Sequence, residues 1–413
     1  MPVESASLQN NESTVVSQGF HASPTSGKPA SLVVFSDDWG RHPSSCQHLI
    51  KQLLPNYEVL WVNTIGTRTP QLDWATINRI GEKLGQWFKR PNKNAGEGAS
   101  PEVQGHENLR VVNPRMWPWF SKSIDRRFNR WLLTKQLNPL IETLPQPVTA
   151  ITTLPITADL PGRLSVDNWL YYCVDDFGEW PGLDGSTLRR MDEVMINRAD
   201  SIVAVSEHLR RMISSCGRDS RLLTHGVDLD HWQNSVKNDE ESKTSTPTAV
   251  FWGVVDRRLD TQMLTALSQR IDDGQIVLIG PQQDPDPAVL SLPNVLAIGP
   301  RPFAELPSIA RTADVLIMPY ADLPVTRAMQ PLKMKEYIAT GRPVVVSDLP
   351  AVRNWSDCMD VSSTPEQFAD AVMLRIAGGV TFQQREARQR LQSEGWSAKA
   401  TELESALQRN GEQ

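Results

Sequence analysis

From Ser31 onwards the chain alternates between short, nearly continuous apolar runs and longer stretches with helical spacing. The runs SLVVF (31–35), EVLWV (58–62), LRVVN (109–113), VTAITT (148–153), WLYYCV (169–174) and SIVAV (201–205) have the character of strands buried on both faces. Between them, RFNRWLLTKQLNPLIETL (127–144) and STLRRMDEVMINRA (186–199) repeat apolar residues at helical intervals. A polar, charged segment, NSVKNDEESKTSTPT (234–248), interrupts the pattern and reads as an interdomain linker. The alternation then restarts with AVFWGVV (249–255), QIVLIG (275–280), NVLAIG (294–299), DVLIMP (314–319) and PVVVS (343–347). Strand–helix alternation of this kind predicts parallel sheets covered by helices, hence two doubly wound, Rossmann-like α/β domains. The expected limits are 31–233 for the first domain and 249–381 for the second. Residues 1–30, rich in Ser, Thr, Asn and Gln without periodicity, are an expected disordered tail, and 382–413 a charged helix returning across the first domain.

Composition narrows the picture further. The chain has 413 residues, 39% hydrophobic and 22% charged, near the average for globular proteins, and its net charge of −6 supplies no basic field for nucleic acid. Cys46, Cys173, Cys216 and Cys358 lie far apart with no CxxC and no metal-ligand spacing, which predicts reduced, buried thiols and no metal site in a cytoplasmic protein. Residues 1–30 lack the apolar core of a signal peptide, and no run reaches the roughly 18 apolar residues of a membrane span. Within an expected insert, 71–107, QLDWATINRIGEKLGQWFKR (71–90) gathers Trp74, Ile77, Leu84, Trp87 and Phe88 near one helical face with Arg79, Lys83, Lys89 and Arg90 elsewhere. Such a helix either packs on its own domain or makes peripheral contact with an anionic inner membrane surface. Thirteen tryptophans are many, and Trp117, Trp119 and Trp180 sit in loop-like sequence, where they serve as packing anchors or as platforms for sugars.

Open α/β sheets bind ligands beyond the carboxyl ends of their strands, so two facing sheets make a cleft. No GxGxxG and no GxxxxGK[ST] occurs, so a dinucleotide redox cofactor and a P-loop are both disfavoured and no cofactor is expected. QPLKMKEYIATGRPVVVSD (330–348) offers another route to phosphate. Pro331 suits the first helical position and Gly341 the C-terminal cap. The amides and dipole at the helix start favour a phosphate oxygen, and Lys333 adds a cation. Glu336 shares a helix face with Lys333, and a carboxylate accepts hydrogen bonds from both vicinal hydroxyls of a ribose. The same spacing also suits an ion pair on a solvated helix, and spacing alone leaves both readings open.

The segment PLKMKEYIATGRPVVVSDLPAV (331–352) resembles the donor-site segment of GT-B-fold glycosyltransferases, specifically glycosyltransferase family 4 and relatives acting on cell-surface polysaccharides. VSEHLRRM (205–212), THGVDLDHW (224–232), FWGVVDRRLD (251–260) and GPRPFAELPSIARTADVLIMPY (299–320) are similar to family segments in the same order. The resemblance implies a GT-B fold that moves a sugar from a nucleotide-diphosphate donor to a saccharide or lipid-linked acceptor. It further implies retention at the anomeric carbon, no bound metal, the donor on the C-terminal domain and the acceptor on the N-terminal one. Carried over by position, Glu336 holds the ribose, and Arg257 or Arg258 the diphosphate with Lys333 and the amides near Leu332. Gly253 lets the backbone approach the donor, and Gly280 and Pro281 reach the base. Asp228-Leu229-Asp230 has a DxD pattern but follows His225-Gly226-Val227 and reads as structural. The chain also departs from the family pattern. Ala328 stands where a Glu is common, so that role passes to Asp322 or Arg327 or the donor sugar is recognised differently, and His225 replaces the Asn of the "NGVD" segment. The loop SDDWGRHPSSCQHL (36–49) is closer to that of teichuronic-acid-type transferases.

On the acceptor side, Asp37-Asp38-Trp39-Gly40-Arg41 and Asp175-Asp176-Phe177-Gly178-Glu179-Trp180 follow predicted strands and should face the cleft. Asp176 is the first candidate for positioning or deprotonating the acceptor hydroxyl and Asp38 the second, although either can instead cap the following helix. Trp39, Gly40, Arg41, Asp175 and His225 complete this side. Two other classes compete. A catalytically silent GT-B protein that binds a sugar or nucleotide, or acts as a scaffold, is motivated by Ala328. A sugar-nucleotide epimerase uses the same fold, and a pyridoxal phosphate-dependent phosphorylase would need a dedicated lysine and a longer chain.

Overall fold

The computed structural model describes residues 30–40, 44–64, 106–180, 182–233 and 246–407. The 71–90 helix reading, Arg41 and most of the predicted linker lie outside the described residues. Two sheets carry the fold, and every pairing within them is parallel.

The first sheet is built from β1 (Ser31–Ser36), β2 (Glu58–Asn63), β3 (Leu109–Val112), β4 (Val148–Thr152), β5 (Asn168–Cys173), β6 (Ser201–Ala204) and β7 (Arg221–Leu222), ordered β3-β2-β1-β4-β5-β6-β7. The second uses β8 (Thr248–Trp252), β10 (Gln275–Ile279), β12 (Val295–Ala297), β13 (Val315–Met318), β14 (Val344–Ser347) and β15 (Asp360–Ser362), ordered β12-β10-β8-β13-β14-β15. Two short strands, β9 (Val255–Asp256) and β11 (Gln282–Gln283), pair with each other beyond β8 and β10. Both sheets reverse their winding beside the first strand, at β1/β4 and β8/β13, where doubly wound domains bind ligands. The continuous apolar runs are strands because both faces are covered: β1, β4 and β8 are buried at every residue. Strands β7, β9, β11 and β15 are too short and too polar to announce themselves by periodicity.

Each sheet has its own apolar core, but the chain does not divide between them in sequence order. Val227 and Trp232 already belong to the second core. The helix Trp396–Leu407 sends Trp396, Ala400, Leu403, Ala406 and Leu407 into the first core, and Tyr57 donates to Glu404 at 2.6 Å. Residues before it, such as Leu391, stay with the second core. The two crossings run side by side, bridged at Val227 and Gly395, and the Val227 N–H donates to the Glu394 carbonyl at 3.0 Å. Gly226 is required there, since a Cβ would lie 2.7 Å from the Trp396 ring.

Candidate functional site

The carboxyl ends of the strands face a cleft of about 1670 Å³ between the two domains. Its second-domain wall begins with a pair of glycines. β8 and β10 both break at a glycine before continuing as β9 and β11, with Gly253 at φ +147° and Gly280 at φ +148°. A Cβ on Gly280 would lie 1.8 Å from the Gly253 carbonyl oxygen, and one on Gly253 would lie 2.3 Å from Lys333 Nζ. Only glycine lets the two backbones and the lysine converge there. Pro281 lines the cleft beside them.

The helix Leu332–Ala339 presents its first turn to this wall. Pro331 is its N-cap rather than its first residue, because its ψ of 114° is extended, and no side chain caps the first turn. Gly341, at φ +77°, follows the Thr340 cap. Lys333 and Glu336 both line the cleft and make no ion pair with each other at contact distance. Lys333 donates to the Tyr320 hydroxyl at 3.0 Å and lies over the rings of Phe251 and Tyr320. Glu336 accepts from the Trp252 indole N–H at 3.4 Å. Burial raises its carboxyl to about 7, against the pull of that N–H and of Lys333.

The two arginines of the β9 loop separate. Arg258 lines the cleft with its side chain 9% exposed, held by Asp256 at 2.8 Å, and its guanidinium lies 5.0 Å from the Trp180 ring of the other domain. Arg257 is 63% exposed, pairs with Asp284 at 2.7 Å and does not line the cleft. Asp322 and Arg327 pair with each other on the surface, outside the cleft. Ala328 is buried, and its carbonyl accepts from Ser206 Oγ of the first domain at 3.2 Å. That position therefore joins the domains and offers the cleft no side chain.

On the first-domain wall, Asp175 lines the cleft whereas Asp176 does not. Burial raises the Asp175 carboxyl to about 7, with Arg258 opposing and Asp176 adding to the rise. Asp176 turns to its own loop, accepting from the Gly178 N–H at 3.1 Å. The Asp38 side chain and Trp39 stay outside the cleft; Trp39 is buried and packs edge-on against Trp61. Asp37 organises this loop, accepting from Ser44 at 2.9 Å and from Gln47 at 2.7 Å. Gly40 lines the cleft, and its N–H donates to Gln47 Oε1 at 3.1 Å. His225 lines the cleft while buried, and its Nδ1 has no hydrogen-bond partner among the described residues. Burial and the nearby Lys335 lower it to about 3, so the imidazole is neutral at ordinary pH. Asp228 accepts from the His231 N–H at 3.0 Å, closing the start of the helix Leu229–Gln233.

Several cleft residues escaped the sequence reading. His48 and Lys51 lie one helical turn apart on Ser45–Leu53, a spacing that would have flagged them. Rings line the cleft in pairs: Trp396 stacks on His48 at 4.7 Å, and Phe303 stacks on His231 at 4.2 Å. Behind them the buried Trp232 stacks on Trp252, which lines the cleft, at 5.4 Å. No local pattern brings together rings so far apart in the sequence.

Residues 247–377 match the family model described as Glycosyl transferases group 1. Over 168 residues the chain is 29% identical to a Bacillus subtilis (strain 168) protein provisionally assigned as the teichuronic acid biosynthesis glycosyltransferase TuaH. That match covers 38% of this chain and 42% of the relative, so the chain spans less than half of the curated protein it resembles. Sucrose-phosphate synthase from Thermosynechococcus elongatus superposes with a TM-score of 0.66 at 15% identity, over 91% of this chain and 97% of that one. The Anabaena protein HepE, in complex with UDP and glucose, gives a TM-score of 0.62 at 13% identity, over 92% of this chain and 99% of that one. These likenesses establish the fold as GT-B, two parallel-sheet domains facing a cleft.

Proposed function

With a Glycosyl transferases group 1 domain forming one wall of the cleft, we propose that the chain is a glycosyltransferase. In this reading it moves a sugar from a nucleotide-diphosphate donor to a saccharide or lipid-linked acceptor in cell-surface polysaccharide synthesis, with retention at the anomeric carbon. The observation that carries the proposal is the convergence of Glu336, Lys333 and the bare glycine pair Gly253–Gly280 on one wall. Glu336 accepts from the ribose hydroxyls. Arg258, Lys333 and the first-turn amides at Leu332 take the charge of the departing diphosphate, so the reading needs no metal. Gly280 and Pro281 face the base. The acceptor hydroxyl oxygen bonds to the anomeric carbon as the bond from that carbon to the phosphate oxygen breaks. The electron pair leaves on the diphosphate, which also takes the hydroxyl proton. Asp175 and the neutral His225 orient the acceptor from the opposite wall, a role Asp176 and Asp38 do not share because neither side chain reaches the cleft.

Uridine nucleotides head the list to try, since the similar HepE is seen with UDP and glucose. Incubation with a panel of nucleotide sugars should give binding and nucleotide release, unchanged by EDTA. Glu336→Ala should raise the donor Kd about tenfold or more, the loss of a charged hydrogen bond. An unchanged Kd would return Glu336 to a scaffold role. Binding without turnover of any donor would favour the catalytically silent reading that Ala328 motivates.

A further inference from the structure

The helix Ser123–Ile141 carries large apolar side chains on its exposed face as well as on its buried one. Asn129, Leu133, Leu137 and Ile141 point into the first domain. On the opposite face Ile124 is 70% exposed, Phe128 39% and Trp131 54%. Phe128 and Trp131 stack on each other at 5.9 Å, and Trp117 of the preceding loop meets Phe128 edge-on at 5.9 Å. Trp119 packs on Trp117 at 4.7 Å. Around these rings, between residues 122 and 135, stand Lys122, Arg126, Arg127, Arg130 and Lys135 against a single acid, Asp125. Asp125 is occupied by the Trp117 indole at 3.1 Å, and Arg126 pairs with Asp159 at 3.3 Å. Lys122, Arg127, Arg130 and Lys135 form no ion pair among the described residues. In a chain of net charge −6, a ring-and-cation stripe of this sort is a local reversal.

We propose that this face seats the first domain on an anionic lipid bilayer. Aromatic rings take the headgroup level of a bilayer, and flanking cations meet its negative surface. No described helix is long and apolar enough to cross a membrane, so the contact is one of lying on the surface. A second copy of the chain is the poorer occupant, because a two-fold contact on this face would set the cations against their own copies. The placement is also productive. β3 and β4 run parallel with their neighbours, so the helix between them runs back against the strands and begins at the carboxyl edge of the sheet, the edge facing the cleft. Ile124, Phe128 and Trp131 occupy that starting half. A docked bilayer therefore lies beside the acceptor wall, and, if the proposed transferase reading holds, a lipid-linked acceptor reaches the cleft from it.

Flotation of the full chain with vesicles tests the proposal. The chain should float with vesicles of phosphatidylcholine mixed with phosphatidylglycerol and stay behind with phosphatidylcholine alone, and raised salt should weaken the binding. The pairs Phe128→Ser with Trp131→Ser, and Arg127→Glu with Lys135→Glu, should each lower partitioning about tenfold or more. Nucleotide affinity, read by calorimetry on the same variants, should not change, which shows that they fold and separates this result from the fate of the transferase reading. The proposal is overturned if the wild type fails to float with the anionic vesicles, or if both variants float as well as it does. It is equally overturned if the wild type sediments as a dimer that the ring variant dissociates.

Discussion

At the scale of single residues, Glu336 is the position where sequence and structure inform each other most. Its spacing from Lys333 suits an ion pair or a ligand site equally, and the structure shows Lys333 drawn to Tyr320 and Glu336 to Trp252 instead of to each other. A carboxyl raised to about 7 holds its proton in the folded chain through a range where it is lost in the unfolded one. The sign follows: its contribution to stability is greatest below the ordinary carboxylate range and declines as pH rises towards 7. If the ionised form is the one that holds the ribose, donor affinity should move the opposite way and improve about tenfold between pH 6 and pH 8. Titration calorimetry at both pH values checks this, and Glu336→Gln should give a flat profile. The choice between Asp175 and Asp176 was not legible in the same way. Adjacent residues beyond a strand end diverge according to the loop that follows, and here the Gly178 N–H claims Asp176.

At the scale of elements, the helix Leu332–Ala339 serves three neighbours at once. Lys333 and Glu336 face the cleft, Leu332 packs against the first domain's core, and Lys335 turns to the paired crossings. There Lys335, almost fully buried, bonds Glu394, the His225 carbonyl at 2.5 Å and Thr224 at 3.2 Å, while Lys399 meets Glu394 at 3.2 Å. Removing the carboxylate leaves a buried ammonium without its counter-charge. Glu394→Ala should therefore cost about 3–5 kcal/mol in urea denaturation, and pairing it with Lys335→Met should restore much of the loss. A cost within error for the single variant would mean that the lysine finds water. The strands were readable because unbroken apolar runs admit few alternatives in an α/β chain. The helix start at residue 332 was readable to within one residue, from Pro331 and Gly341. The Lys335–Glu394 contact, which joins distant parts of the chain, was not, since nothing in a linear pattern pairs them.

At the scale of the whole molecule, the domains share material instead of merely touching. Trp180 reaches Arg258, Ser206 reaches Ala328, and Trp396 lies against Gly226. A ligand held mainly by one domain should thus stabilise both. Calorimetry should show one transition that moves as a unit, with donor at about a hundred times its Kd adding about 2.7 kcal/mol. Two separate transitions, only one of them shifted, would contradict this coupling.

The returning helix Trp396–Leu407 has a further consequence, for synthesis on the ribosome. The sheet of the first domain emerges early, yet five apolar side chains of its core belong to a segment translated after the entire second domain. Domains ordinarily fold in the order in which they are made. Here the first must wait with an open seam until the second domain has been made, so a nascent chain exposes a sticky groove while that domain is translated. A fusion partner placed after residue 407 would have to leave that late docking step room to finish.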